Sequence, residues 1–494
     1  MRPSRLAVCL AVGLPALAVA ADVPVAGHKL GLRASSSTER KRSATINIKD
    51  PALAAPLPDP TLGASLVVNG GAADGQCYAE IALDPGRWRP IGGKGATRGY
   101  RYAAPAPGTQ GVRSIVLRPG VLLVKARGAG WPCGLQATTE RAPVSVVMRV
   151  AGTRYCAAFG PGQRNTTGRF VAGTSPAPAA CPETDATGAF LNILHGIFCP
   201  MPTAACRLSE RIDLLFQWVA AAGCPDVVTL TEVSARAVPL LESHLATACP
   251  FPYQRVFVSV FGVDDHMLLT RYPAASSDSH LLYKDFRHVL FVRIDHPLGP
   301  LDVFTTHLAS GSDGAGNPCA GDCPPECVAA GATTVRECQG VQLAAYVASR
   351  HDVATPALVS GDFNQDPTSF VYTHVTQVIA PPWTDTYLAA GNPECDPGTG
   401  VGCTSGRADE DLSDMESPAS HETERIDYFF LVRPGAGSLC AATIDTGADA
   451  DGDGTATRIF ADDPNPFAPT CGPAPDAICW PSDHEGAQVD LNCG

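Results

Sequence analysis

Lysine is scarce in this chain, and arginine supplies most of its 36 basic residues against 49 acidic ones. A formal charge of −13 leaves no general basic surface, so binding to nucleic acid or anionic lipid has to come from local clusters of cations. After the first twenty residues no apolar run is long enough to be a membrane-spanning helix. No internal repeat is apparent, which sets repeat architectures aside. Up to about residue 180 there is no helix-period segment and no cluster of carboxylates or histidines, so this half reads as an accessory module.

The chain opens as an export signal would. Arg2 and Arg5 precede an apolar run from Leu6 to Ala18, and Ala18, Val19 and Ala20 supply the small-x-small cleavage pattern. Cys9 sits inside the run and follows Val8, a poor context for a lipoprotein anchor. A signal peptide over 1–20 implies a secreted or periplasmic protein. Of 19 cysteines, 18 remain without Cys9, enough for nine disulfides whose connectivity the sequence does not give. Cys319, Cys323 and Cys327 have knuckle-like spacing, but a second compact Cys/His pair is missing. With Asp322, Pro324 and Pro325 between them they read as a stapled surface loop rather than a zinc site.

A length of 494 residues favours at least two domains. Residues 22–60 are polar and proline-rich, with a basic knot at Arg40, Lys41 and Arg42. Short apolar runs follow at 64–68, 114–117, 121–124 and 144–148, bounded by Gly and Pro, and predict a β-sandwich. Residues 173–180 read as a linker. Beyond it the texture changes. Strands are predicted at 189–194, 225–230, 289–294, 301–306 and 357–360, and helices at 208–222 and 339–349, a layered α/β pattern. The expected organisation is a signal peptide (1–20), an all-β accessory domain with linker (22–185) and a catalytic domain (186–494).

Active sites of such domains collect polar residues at strand ends, and six segments deliver them. Asn192 ends a strand, Glu232 ends the run from Pro225, and His307 follows Val303 to Thr306. Asp362 and Asn364 lie in Gly361 to Asn364, Asp427 follows Arg425 and Ile426, and Asp483 and His484 follow Ser482. Each alone has a plain structural alternative: a strand cap, a surface carboxylate, a turn, an ion pair with Arg425, a core histidine.

In this order, however, the segments resemble the endonuclease/exonuclease/phosphatase superfamily, which includes deoxyribonuclease I, abasic-site endonucleases, inositol-polyphosphate phosphatases and neutral sphingomyelinases. The resemblance covers about 188–494, and its most specific elements are Gly-Asp-Phe-Asn at 361–364 and Ser-Asp-His at 482–484. It implies a four-layered α-β-β-α sandwich after the smaller β-sandwich-like domain. It implies magnesium held by Glu232 with Asn192, manganese or calcium being alternatives. Asp362 and Asn364 then position water and phosphate, His484 is general base oriented by Asp427, Asp483 sits near the metal, and His307 assists the transition state. The implied substrate is a phosphate ester, either phospholipid or nucleic acid. The cysteine-containing insert before Arg336 and Gln339 is more like the sphingomyelinases, whereas no aromatic hairpin for membrane insertion is apparent beyond Pro381, Pro382 and Trp383.

Other residues read as supporting parts. Arg211 and Arg336 are expected to be structural, and His195, His266 and His288 have no assigned role. Asp449, Asp451 and Asp453 match half of a calcium loop, but Phe460 stands where the closing Glu belongs. Asn165 to Thr167 is a glycosylation sequon. Insertions at 309–335 and 390–424 shape the cleft. The competing reading is a catalytically silent binding protein whose N-terminal β-domain contacts a surface or glycan.

Overall fold

The structure, a computed structural model, describes residues 21–34, 41–69, 78–92, 97–104, 111–128, 131, 135, 144–151, 153–160, 162–166, 168–179, 181, 185–194, 207–260, 264–284, 286–296, 298–311, 319, 322–352, 355–407, 414–432, 443–444, 457–460 and 478–492. The expected signal peptide, His195 and the acidic loop at 449–454 lie outside these residues.

Alternation of side chains builds the N-terminal half. Along Val121–Arg127 every second residue is buried, the period of a strand with one face on a core, and Val112–Arg118 follows the same period from Ile115 on, after an irregularity between Val112 and Ser114. A five-stranded and an eight-stranded sheet result. Leu30, Leu32, Ile46, Ile115, Leu117, Leu66, Val146 and Met148 fill one shared core. Gly27–Arg33 and Ser43–Lys49 are central strands of the larger sheet, although they lie in the stretch read as polar and proline-rich. Their apolar residues are isolated single positions, a pattern that marks a half-buried strand only when matched to its partners. The linker segment is fastened to the sandwich. Ser175 N–H donates to Gly27 O at 2.9 Å, and Cys156 is disulfide-bonded to Cys181. A buried Arg149–Asp185 ion pair joins the two halves.

The C-terminal half is a four-layered α-β-β-α sandwich. Its seven-stranded sheet centres on Val227–Val233, Asp185–Asn192 and Ala487–Asn492, and its six-stranded sheet on Leu301–His307, Ala357–Asp362 and Asp427–Val432. Phe190, Val292, Val303, Leu358, Leu431 and Val489 pack between the sheets. The helices Leu208–Ala221 and Ala237–His244 cover the first sheet through Leu215, Val219 and Leu241. The helix Val335–Arg350 covers the second through Leu343 and Val347. It begins four residues before the predicted start, because Thr334 and Glu337 form a capping box ahead of the apolar stripe. The loop cysteines are spent in Cys319–Cys323 and Cys327–Cys338 disulfides, in keeping with a stapled loop.

Strand direction places the polar residues together. Asp185–Asn192 runs parallel to Val227–Val233, and Leu301–His307 parallel to Ala357–Asp362, so Asn192, Glu232, His307 and Asp362 emerge at one edge. Asp427–Val432 runs antiparallel and starts at that edge. In register, His307 faces Asp362 and Asp362 faces Asp427, giving one row across three strands. Beneath the edge, Thr229 Oγ1 and Ser360 Oγ, 2.8 Å apart, bridge the two sheets.

Candidate active site

Close backbone approach makes the row possible. A Cβ on Gly361 would lie 2.2 Å from Thr306 O, so only glycine lets the His307 and Asp362 strands pair here. A β-bulge between Leu230 and Val233 puts Glu232 in the left-handed region, at φ 58°, and turns its carboxylate over the sheet edge. Asn364 takes the same region, at φ 51°, and its backbone N–H donates to Asp362 Oδ1 at 2.8 Å.

Asn192 is the hub. Its Nδ2 lies 3.0 Å from Glu232 Oε1, 3.1 Å from Asp362 Oδ2 and 3.5 Å from His484 Nε2, and its Oδ1 accepts Leu194 N–H at 3.1 Å. The amide as oriented therefore bridges two carboxylates by donating. Asn364 sends its side-chain N–H to Leu308 O at 3.0 Å, away from the row. Asp483, half-buried, accepts from Ser482 Oγ at 2.9 Å.

His484 Nδ1 is 2.8 Å from Asp427 Oδ2. Burial opposes its charged form, but Asp427, Asp483 and Asp362 outweigh burial and raise the imidazolium well above the ordinary histidine value. Burial raises Asp427, while His484 and the Thr404 hydroxyl pull it down. Asp362 is raised by burial and by Asp427, with His307 and His484 pulling the other way. His307 behaves oppositely to His484. Burial and the neighbouring Arg287 cation hold it down to about 3, against Asp362 and Glu232. Arg287 Nη1 lies 2.9 Å from His307 Nδ1 and forms an ion pair with Asp264, and His307 Nε2 lies 3.3 Å from Asp362 Oδ2. His307 Nδ1 also lies 3.0 Å from Asp264 Oδ1, so the neutral ring is held between the Arg287–Asp264 ion pair at Nδ1 and Asp362 at Nε2.

Two buried arginines frame the edge from behind. Arg211 donates to Ile193 O, Leu194 O and Pro481 O at 2.7, 3.0 and 3.2 Å, tying the Asn192 strand to the Asp483 segment. Arg336 donates to Ala309 O, Asn364 O and Gly311 O.

Six of the eight predicted residues thus meet directly: Asn192, Glu232, His307, Asp362, Asp427 and His484. Asp483 and Asn364 stand beside them. Sequence reasoning missed Asp264, Arg287 and Thr404. Arg287 sits just before a strand start and Thr404 inside an insertion, so neither follows an apolar run that would mark it. His266 and His288, left without a role, are a buried stacked pair with ring centroids 4.0 Å apart.

The donor set is rich in oxygen. Asp362, Asp427 and His484 offer ligand atoms within 4.8 Å of one another, with Glu232 alongside. Crowded carboxylates of this kind suit a hard divalent cation, whose charge would relieve their burial.

A family model described as the Endonuclease/Exonuclease/phosphatase family matches residues 189–484. Among solved structures, an endonuclease/exonuclease/phosphatase from Bacteroides vulgatus is 18% identical at a TM-score of 0.43, covering 63% of this chain and 100% of that one. A humanized TDP2 from D. rerio is 16% identical at 0.42, covering 63% and 100%. The human Nocturnin catalytic domain, with bound sulfate anion, is 17% identical at 0.37, covering 63% and 94%. No curated protein matches the chain in a sequence search.

Proposed function

As a member of the endonuclease/exonuclease/phosphatase family the chain is a metal-dependent phosphoesterase, and we propose that it is an exported phosphodiesterase using Asp427–His484 as its base pair. The observation behind this reading is that contact: a buried carboxylate 2.8 Å from Nδ1 of a histidine whose Nε2 points to Asn192 and Asp362.

Magnesium is the proposed cation, held by Glu232 with Asn192 beside it, and when bound it polarises a phosphoryl oxygen and stabilises the leaving oxyanion. His484 takes the proton from the attacking water at Nε2, and Asp427 keeps the ring oriented and its tautomer fixed. Asp362, the last residue of its strand, positions water and phosphate, and Asn364, two residues beyond, braces its carboxylate through a backbone N–H. His307, neutral and with Nε2 turned toward Asp362, hydrogen-bonds the phosphate oxygens on which charge builds up, while Arg287 adds a fixed positive charge beside it. Asp483 lies close enough to raise His484. Export is supported by the leader-like first twenty residues and by disulfides, which persist in oxidising compartments.

The test is hydrolysis of bis-p-nitrophenyl phosphate, plasmid DNA and sphingomyelin by the full chain, with magnesium or chelator, for wild type and His484→Ala. Chelator-sensitive turnover lost in the variant supports the reading, and the preferred substrate chooses between nucleic acid and phospholipid. No turnover on these or on phosphomonoesters sinks it and leaves the binding-protein alternative, with the N-terminal β-domain as the surface- or glycan-contacting part. Amino-terminal sequencing of secreted material beginning after Ala20 checks export.

A further inference from the structure

Within the insertion at 390–424 a small ring is closed by a disulfide between Cys395 and Cys403. The ring is braced from inside: Asp396 N–H donates to Val401 O at 2.9 Å, and Asp396 accepts from Gly398 N–H at 2.9 Å and the Thr399 hydroxyl at 3.0 Å. Gly402, at φ 76°, lies so close to the opposite side that a Cβ would meet Pro393 O at 3.0 Å. What matters is what flanks this ring on each side.

Before it, Glu394 grips Arg425 through two bonds of 2.7 Å, to Nε and Nη2, while Arg425 Nη1 holds Asp385 at 2.8 Å. After it, the Thr404 hydroxyl accepts two backbone N–H groups at once, from Ile426 at 3.1 Å and from Asp427 at 3.0 Å. Thr404 N–H donates to Glu424 O at 2.8 Å, and Thr404 O accepts Glu485 N–H at 2.8 Å. One fully buried residue therefore fixes the backbone of Asp427 on one side and the backbone just after His484 on the other. Its neighbour Ser405 makes bridge pairs with both Glu424 and His484.

We propose that Thr404 is a positioning residue for the Asp427–His484 pair, and that the Cys395–Cys403 ring locks it there, so that turnover depends on the oxidised ring. This rests on the general-base reading above. Two converging N–H donors need one oxygen acceptor, which Ser supplies and Val does not. Removing it leaves two buried donors unsatisfied and frees the first residue of the strand that aims Asp427. Opening the ring uncouples the Glu394 grip from the Thr404 grip without touching either side chain.

The experiment compares wild type, Thr404→Val, Thr404→Ser and the Cys395→Ser/Cys403→Ser double variant, each shown folded by circular dichroism. With bis-p-nitrophenyl phosphate and magnesium, Thr404→Val is expected to lose about 10- to 100-fold in kcat, the scale of a small misplacement of a catalytic group. KM should hold within about twofold, and Thr404→Ser should restore kcat to within about threefold of wild type. The double variant should fall between. In parallel, the downfield proton resonance of the His484 Nδ1–H, assigned by its loss in His484→Asn, is read in each protein without substrate. It should shift or broaden in Thr404→Val and return in Thr404→Ser. An unchanged resonance with unchanged kcat in Thr404→Val overturns the proposal, as does failure of Ser to rescue. Absent turnover in wild type with the resonance still dependent on Thr404 would instead fault the phosphodiesterase reading alone.

Discussion

His484 Nδ1 lies 2.8 Å from Asp427 Oδ2, and in the proposed mechanism this contact decides which ring nitrogen faces the attacking water. With Asp427 accepting at Nδ1, the neutral ring presents a bare Nε2 to a water. In Asp427→Asn the amide N–H can take Nδ1 instead, which moves the ring proton to Nε2 and removes the base. We expect about 10²- to 10⁴-fold loss of kcat in His484→Asn and a loss of similar order in Asp427→Asn. The pH profile carries a sign. Since Asp427, Asp483 and Asp362 raise His484 above its ordinary value against burial, kcat/KM should climb as pH rises through that raised value. In Asp427→Asn any residual activity should have its inflection at lower pH. An inflection that stays in place would remove Asp427 from the pair.

The stacked His266 and His288 make a different, structural prediction. Burial holds His266 at about 4 and, with the Arg287 cation adding to it, His288 at about 2, whereas both titrate at their ordinary value when unfolded. Between pH 6.5 and those values the unfolded chain binds protons that the native fold does not. Stability from this source is complete above pH 6.5 and declines as pH falls below it, by up to about 1.4 kcal/mol per pH unit for each ring. Urea unfolding midpoints at pH 7 and pH 5.5 should show the decline, and His288→Gln should flatten it. A midpoint that rises on acidification would contradict the buried neutral state.

Gly361 is where fold and site are hardest to separate. Its missing Cβ would meet Thr306 O at 2.2 Å, so Gly361→Ala has to push the two strands apart between His307 and Asp362. Overpacking of this kind costs about 1–3 kcal/mol. The same displacement widens the 3.3 Å contact between His307 Nε2 and Asp362 Oδ2, so activity should fall further than the fraction unfolded explains. Denaturant titration and kcat on one preparation separate the two effects.

The sequence made strand ends legible because each of Asn192, Glu232, His307 and Asp362 closes an apolar run. The run predicts the strand, and strand parallelism then converges the ends. Arg287 and Asp264 were invisible because they meet only in the fold, with 22 intervening residues that include the strands Asp265–Thr270 and Ala274–Leu281 and no shared pattern. Thr404 was invisible because its contribution is a pair of long-range backbone contacts. Gly27–Arg33 escaped because polar residues flank its buried ones, so only pairing with Ser43–Lys49 reveals the apolar face. What local pattern conveyed was which residues could be active. What it withheld was the set of bonds that orient them.

Metal removal tests the donor set without reference to substrate. Glu232, Asp362 and Asp427 converge with Asn192 donating between two of them, and a divalent cation bound there adds native-state stability in proportion to its occupancy. At a free magnesium concentration of 100 times its dissociation constant the gain is about 2.7 kcal/mol. Differential scanning calorimetry should therefore show the C-terminal domain melting several degrees higher with magnesium than with chelator, and activity should return with the metal. Manganese should substitute, since its preferred donors are also oxygens. Glu232→Gln keeps an acceptor for Asn192 Nδ2 and so preserves the fold, but it removes the charge that draws the cation. The variant should melt near the chelated wild type and respond weakly to added metal. If Glu232→Gln instead kept the full metal-induced shift, the cation would sit on Asp362, Asp427 and His484, and the His484 base would have to be reassigned.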